Sequence, residues 1–192
     1  DGMKLPAEAK KITVVGGGVV GCEIAYSLAY EQGLDVTVVE MLPDLMKGTV
    51  HANRAMLLWM MMGKGSPSGQ PADVLKKPVK AYTASQVVRF APGKAVLRAN
   101  RKRKDPYTPW TTLVPDNIHN PFDRPLNPND VEEIQIDTDY VIYATGGQAD
   151  DDLYYQLLAE KAAPEVYCVG DARVPGRAWE AITDANEVAR SI

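Results

Sequence analysis

Three consecutive glycines, Gly16-Gly17-Gly18, with a fourth at Gly21, constrain this chain more than any other feature. They follow a short β-branched run, Lys11–Val15 (KITVV), which reads as a buried parallel strand. They precede Val19–Gln32, where Val20, Ile24 and Leu28 recur at helical spacing, and Gly33 is a natural stop. Leu34–Val39 (LDVTVV) is a second strand, closed by Glu40. The unit is β-α-β, and such crossovers are right-handed.

Gly16, Gly18 and Gly21 form G-x-G-x-x-G, with an acid 19 residues past the last glycine. Each glycine has its own reason. Gly16 allows a tight turn out of the strand, Gly18 lets a pyrophosphate reach the backbone, and Gly21 lets helix and strand pack closely. The helix start offers free N–H groups and a favourable dipole to phosphate. The strand–turn–helix setting predicts an adenine dinucleotide site. Glu40 is expected to accept hydrogen bonds from the adenosine ribose. A 2′-phosphate would meet its like charge, and no Lys or Arg follows before Lys47, which favours NAD over NADP, hence NADH over NADPH. Glu23 is placed in the first turn of the helix, where a charge–dipole role competes with a ligand-facing one.

Further along, Asn53–Met62 reads as an apolar helix buried under the sheet. Residues 64–78 are broken by Gly and Pro and read as loop. Val79–Thr83, Gln86–Phe90 and Ala95–Arg98 read as short strands, with a Pro92-Gly93 turn between the last two. Arg101-Lys102-Arg103-Lys104 reads as a solvated hairpin end. Residues 105–130 hold six prolines and are expected to form an irregular excursion outside the sheet. Val131–Ile136, Tyr140–Tyr143 and Glu165–Val169 read as strands, Asp151–Lys161 and Trp179–Ser191 as helices. The fold class is α/β, a Rossmann-like three-layer domain.

The remaining chemistry is sparse. A net charge of -4 argues against a nucleic-acid footprint, and no apolar run is long enough for a membrane span. Cys22 and Cys168 lie in separate elements, which excludes a local redox pair and reads as two ordinary buried thiols of a cytoplasmic protein. His51 and His119 receive no role, and no hydrolase triad or metal-ligand cluster stands out. The start at Asp1 without a Met suggests a piece of a longer protein.

The ordered set GGGVVGCEIAYSLA…VTVVE, YATGG and VYCVGDARVPGRAWEA resembles the C-terminal region of the NADH:flavin oxidoreductases related to 2,4-dienoyl-CoA reductase and trimethylamine dehydrogenase. These share the two-dinucleotide architecture of the pyridine nucleotide–disulfide reductases. The resemblance covers roughly residues 10–63 and 131–192. It implies a linker over 1–10, an NAD-binding domain over 11–147 interrupted by the 105–130 insertion, and the C-terminal part of an FAD-binding domain over 151–192. It further implies that Ala144–Gly146 marks the return crossing, with Gly146 at the cofactor. Gly170-Asp171 would contact the ribityl chain of FAD, and Glu23 would lie near the nicotinamide. The head half of the FAD domain and an FMN barrel are then the partners expected elsewhere in an intact enzyme, where NAD(P)H passes hydride to flavin. A single glycine motif followed by ATG and Gly-Asp is also the order of a complete FAD fold. The Gly21-Cys22-Glu23-Ile24-Ala25 continuation and the short interval from ATG to Gly-Asp favour NAD. Binding of ADP alone, or a non-catalytic docking or sensing module, are the other readings.

Overall fold

The computed structural model describes residues 5–49, 51–61, 63, 77–103 and 127–192. The chain divides into two compact units, Asp1–Thr145 and Gly146–Ile192.

The first unit is built on a four-stranded parallel sheet in the order β3-β2-β1-β7, with β1 Lys11–Val15, β2 Asp35–Val39, β3 Lys80–Tyr82 and β7 Tyr140–Tyr143. β1 pairs with β2 from Lys11↔Asp35 to Val15↔Val39, and with β7 from Ile12↔Tyr140 to Val15↔Tyr143. All four strands therefore end at one edge. Successive right-handed crossovers in one direction place helices α1 (Val19–Gln32) and α2 (His51–Met61) on the same face, where they touch. The core there joins Ile12, Val14, Val36 and Val38 to Cys22, Ala25, Leu28, Leu57, Leu58 and Met61. Each large aliphatic side chain so buried is worth about 1.5–3 kcal/mol.

The other face carries a second sheet instead of helices. β4 (Ser85–Ala91), β5 (Lys94–Asn100) and β6 (Val131–Asp137) form an antiparallel meander. Ala95 and Leu97 of β5 pack on Val39 of β2, with Tyr82, Val87, Ile134 and Ile136 around them. The three layers are thus helices, parallel sheet and antiparallel sheet. Gly93 takes φ +69 in the β4–β5 turn, the conformation expected of the Pro92-Gly93 pair. A Thr13–Thr138 hydroxyl pair at 2.7 Å is buried between the start of β7 and β1, and Asp139 accepts the N–H groups of Lys10 and Lys11.

Three expectations need correction. Arg103 is not a solvated hairpin residue: it lies over the Tyr82 ring, 5.0 Å from its centroid, and pairs with Glu132 at 2.9 Å. Its long side chain covers an aromatic face, which a charge run in sequence does not reveal. Cys168 is half-buried rather than buried, unlike Cys22. Glu165–Val169 is not a strand, because among the described residues no neighbour supplies it a ladder, although Val169 keeps extended dihedrals. Most of the proline-rich stretch (105–126 of 105–130), Lys104 of the charge run, and most of the 64–78 loop lie outside the described residues.

The second unit holds α3 (Asp152–Glu160), a single 3-10 turn at Gly170–Ala172 and α4 (Ala178–Ser191). Arg173 grips Asp184 with two bonds of 2.8 and 2.6 Å, tying the turn to α4. None of its residues is buried, and Leu153, Tyr155, Leu158, Trp179 and Ile182 are exposed. Among the described residues no helix is long and apolar enough to cross a membrane.

Candidate nucleotide site

The strand order reverses direction at β1: β2 lies on one side and β7 on the other. In open α/β sheets that point, at the carboxyl ends of the strands, is where ligands bind. The glycine turn sits there. Gly16 leaves β1 with φ +106, and its N–H donates to the Val39 carbonyl at 2.9 Å. A Cβ at this position would stand 2.3 Å from the Ala144 carbonyl oxygen. A Cβ at Gly21 would stand 2.0 Å from the Gly16 carbonyl oxygen. Both glycines are therefore dictated by backbone packing inside the unit, as the motif implied.

Gly18 is different. It is the N-cap of α1, with φ -68 and ψ -173, a conformation open to any residue, and no atom lies within 4 Å of a Cβ built on it. Nothing among the described residues explains its missing side chain. The first helical bond runs from Cys22 N–H to the Gly18 carbonyl at 3.0 Å, so the N–H groups of Val19, Val20 and Gly21 precede the ladder. No side chain caps this end, and no acidic residue lies in its first turn. Among the described residues, no side chain of the first unit caps or neutralises the positive end of α1.

That observation also corrects the placement of Glu23. The helix begins at Val19, so Glu23 is its fifth residue and lies beyond the first turn, exposed. The dipole acts over the first turn, so its pull on this carboxylate is weak.

Glu40 is only 8% exposed. Its carboxylate accepts the Gly17 N–H at 2.6 Å and the Leu42 N–H at 2.7 Å. Each oxygen keeps a further lone pair for another donor. Its backbone N–H and carbonyl join the Tyr82 carbonyl and the Ser85 N–H, which fixes the end of β2 between the two sheets.

The sequence pattern passed over Gly17. Its N–H goes to Glu40, and its carbonyl accepts the Met46 N–H at 2.7 Å and the Cys22 thiol at 3.4 Å. A Cβ there would lie 2.3 Å from Leu45 Cδ2. This middle glycine of the run was a visible signal, but its cause sits in a distant loop. Burial, followed by the charge of Glu40, pushes the Cys22 thiol up to about 12, so it is a neutral core group and not a nucleophile.

Gly146, Gly170 and Asp171 belong to the second unit. Gly146 and Gly170 take φ +86 and +64. The Gly170 N–H donates to Asp184 at 3.0 Å, and one Asp171 oxygen accepts the Gly176 N–H at 3.1 Å.

Comparison with known proteins gives the following. A family model described as FAD dependent oxidoreductase matches residues 11–164. Cinnamate reductase of Clostridium sporogenes is 27% identical over 186 residues, 95% of this chain and 21% of that protein. D-amino acid dehydrogenase 2 of Ralstonia nicotianae is 36% identical over 102 residues, 50% of this chain and 24% of that protein. A solved structure of 2-naphthoyl-CoA reductase with 2-naphthoyl-CoA shares the fold, with TM-score 0.64 and 22% identity, over 99% of this chain and 22% of that one. The chain thus spans between a fifth and a quarter of the length of these proteins.

Proposed function

The chain belongs to the FAD dependent oxidoreductase family, and from that membership we propose that its first unit holds the adenosine diphosphate part of NAD at the β1–α1 turn. In the longer enzyme the chain would present NADH for hydride transfer to a flavin. The specific kinship is with the NADH:flavin oxidoreductases whose motifs it resembles. The observation that carries the reading is Gly18, a glycine that neither its backbone conformation nor its neighbours require, at the open positive end of α1. An anion brought there gains N–H donors and the dipole, and only a residue without Cβ lets a pyrophosphate lie against the backbone.

The residues fit that group in the same way on the β2 side. The free lone pairs of Glu40 would take the adenosine ribose hydroxyls. Met41, Leu42, Pro43, Asp44, Leu45 and Met46 follow without a cation, and the charge of Asp44 is countered by Arg54, 3.9 Å away, so Glu40 carries the discrimination. A 2′-phosphate would be disfavoured there by roughly 10- to 100-fold, about 1.4–2.8 kcal/mol. Glu23, exposed on α1, would stand toward the nicotinamide, as the resemblance implies. Nicotinamide supplies the hydride when bound; the chain's part is to hold and orient it.

The second unit would contribute Gly170-Asp171 to an FAD site completed by the rest of the enzyme. Its lack of any buried residue supports the view that its apolar side chains meet a larger body. A second reading, FAD itself at the β1–α1 turn, is favoured by the family match, which begins at β1.

Calorimetric titration of the purified chain with ADP, NADH, NADPH and FAD separates these. Binding of ADP and NADH, with NADPH weaker and FAD excluded, is the expected result. Stoichiometric FAD binding would install the second reading, and no binding by any of the four would end both.

A further inference from the structure

The geometry points to Arg54 as a positioning residue that sets the glycine turn for nucleotide binding through the 41–49 loop; this rests on the adenine site proposed above. Arg54 is 2% exposed, and it lies in the first turn of α2. A buried guanidinium is costly, and a cation at the positive end of a helix adds to the cost. What it holds there is the loop that follows Glu40.

The connection can be followed atom by atom. Arg54 Nε–H donates to the Leu45 carbonyl at 2.9 Å, and Nη2 lies 3.9 Å from Asp44 Oδ1. Leu45 and Met46 are buried. The Leu45 side chain occupies the space beside Gly17 that a Cβ would need, and the Met46 N–H donates to the Gly17 carbonyl. Met46 does so with φ +54, left-handed backbone that a residue with a side chain adopts only when its surroundings enforce it. Arg54 supplies that enforcement from behind, by fixing the carbonyl immediately before Met46. On the other side, Gly17 N–H is held by Glu40. The turn is therefore gripped at both its N–H and its carbonyl, and Arg54 governs the carbonyl grip without reaching the nucleotide.

The test uses Arg54→Met, which keeps length and apolar stem but removes the donor, together with Leu45→Ala and the double variant. ADP affinity is measured on chains shown by circular dichroism to be folded, and amide exchange is measured at Met46 in the ligand-free state. Arg54→Met should weaken ADP by about 10- to 100-fold, the range for losing a charge-assisted hydrogen bond that orders a site. Leu45→Ala should do the same, and the double variant should be no worse than either, because both act on one path. Met46 exchange should quicken in each. A residue that only stabilised the fold would lower the melting temperature and leave ADP affinity and Met46 exchange unchanged, and that result overturns the inference. If Arg54→Met does not fold, Leu45→Ala decides: unchanged ADP affinity overturns the inference. If the unaltered chain binds no ADP, the nucleotide reading fails, and Met46 exchange in the variants still decides whether Arg54 sets the turn.

Discussion

Gly18→Ala separates folding from binding in a way that few single substitutions do. In the ligand-free chain the added methyl meets no described atom within 4 Å, and φ -68 with ψ -173 suits alanine. Alanine gains about 0.4–1 kcal/mol by narrowing the unfolded ensemble. It loses up to about 1 kcal/mol as a poorer N-cap. The two nearly offset, so the urea midpoint should move little. Binding should respond quite differently. On the proposed reading, a methyl over the turn would displace the pyrophosphate from at least one backbone N–H. A hydrogen bond to a charged group contributes about 1.5–3 kcal/mol, so ADP should bind roughly 10- to 150-fold more weakly. Gly21→Ala is the contrast. Its Cβ falls 2.0 Å from the Gly16 carbonyl oxygen, more than 1 Å inside ordinary contact, so α1 must retreat from β1. That overpacking costs about 1–3 kcal/mol, and stability and affinity should fall together. Urea unfolding and ADP calorimetry on the two variants provide the comparison. Unaltered ADP affinity in Gly18→Ala, or a loss of stability matching that of Gly21→Ala, would refute the assignment of Gly18 to the ligand.

Three other outcomes are expected. Glu40→Gln keeps one acceptor but turns an amide donor toward a second N–H, so urea unfolding should show about 1.5–3 kcal/mol lost, with weaker NADH binding; unchanged stability would mean the Gly17 and Leu42 contacts carry nothing. Cys22 should resist iodoacetamide at pH 8 in the native chain and react in denaturant, since its raised thiol keeps it neutral; the same elevation means stability is lost as pH rises from about 9 toward 12, and rapid native labelling of Cys22 would contradict its burial. Asp137 is held down to about 2 by hydrogen bonds from Lys11 and Lys94, so its contribution is complete above about 4 and disappears as pH falls toward 2; thermal melts of Asp137→Asn should be flatter across that window, and an identical acid slope would show the cluster to be inert.

The β1–α1–β2 unit was legible in the sequence because its determinants are local. A β-branched run, a glycine turn and a helical period each act within a few residues. Gly16 and Gly21 could be assigned from the motif, since the backbone clashes they avoid follow from any strand–turn–helix packing. Gly17 could not: its constraint comes from Leu45, which the chain brings back only after β2. Arg54 was hidden for the same reason, as one cation in an apolar helix gives no hint of the carbonyl it holds. Glu165–Val169 has the composition of a strand, yet composition cannot supply a neighbour, and a strand exists only in a ladder. Glu23 was misplaced although the helix start at Val19 was read correctly: as the fifth residue of α1 it stands one position past the first turn.

The pairing of β1 with β7 has a consequence for the order in which the protein is made. Thr13 and Val141 are partners in the sheet, and the Ala144 carbonyl closes the wall behind Gly16. Closing a loop of about 125 residues costs roughly 1.5 kcal/mol more chain entropy than the short closure of β1 on β2. At about 5–20 residues per second, the ribosome needs on the order of 6–25 s between the two strands. β1, α1 and β2 emerge early, but the glycine turn lacks the Ala144 backbone that walls Gly16 until β7 arrives. Nascent chains stalled before residue 140 should therefore not be retained on immobilised ADP, and chains stalled well beyond residue 145 should be. The nucleotide would then select finished first units over partly synthesised ones, and its arrival would mark the completion of the sheet.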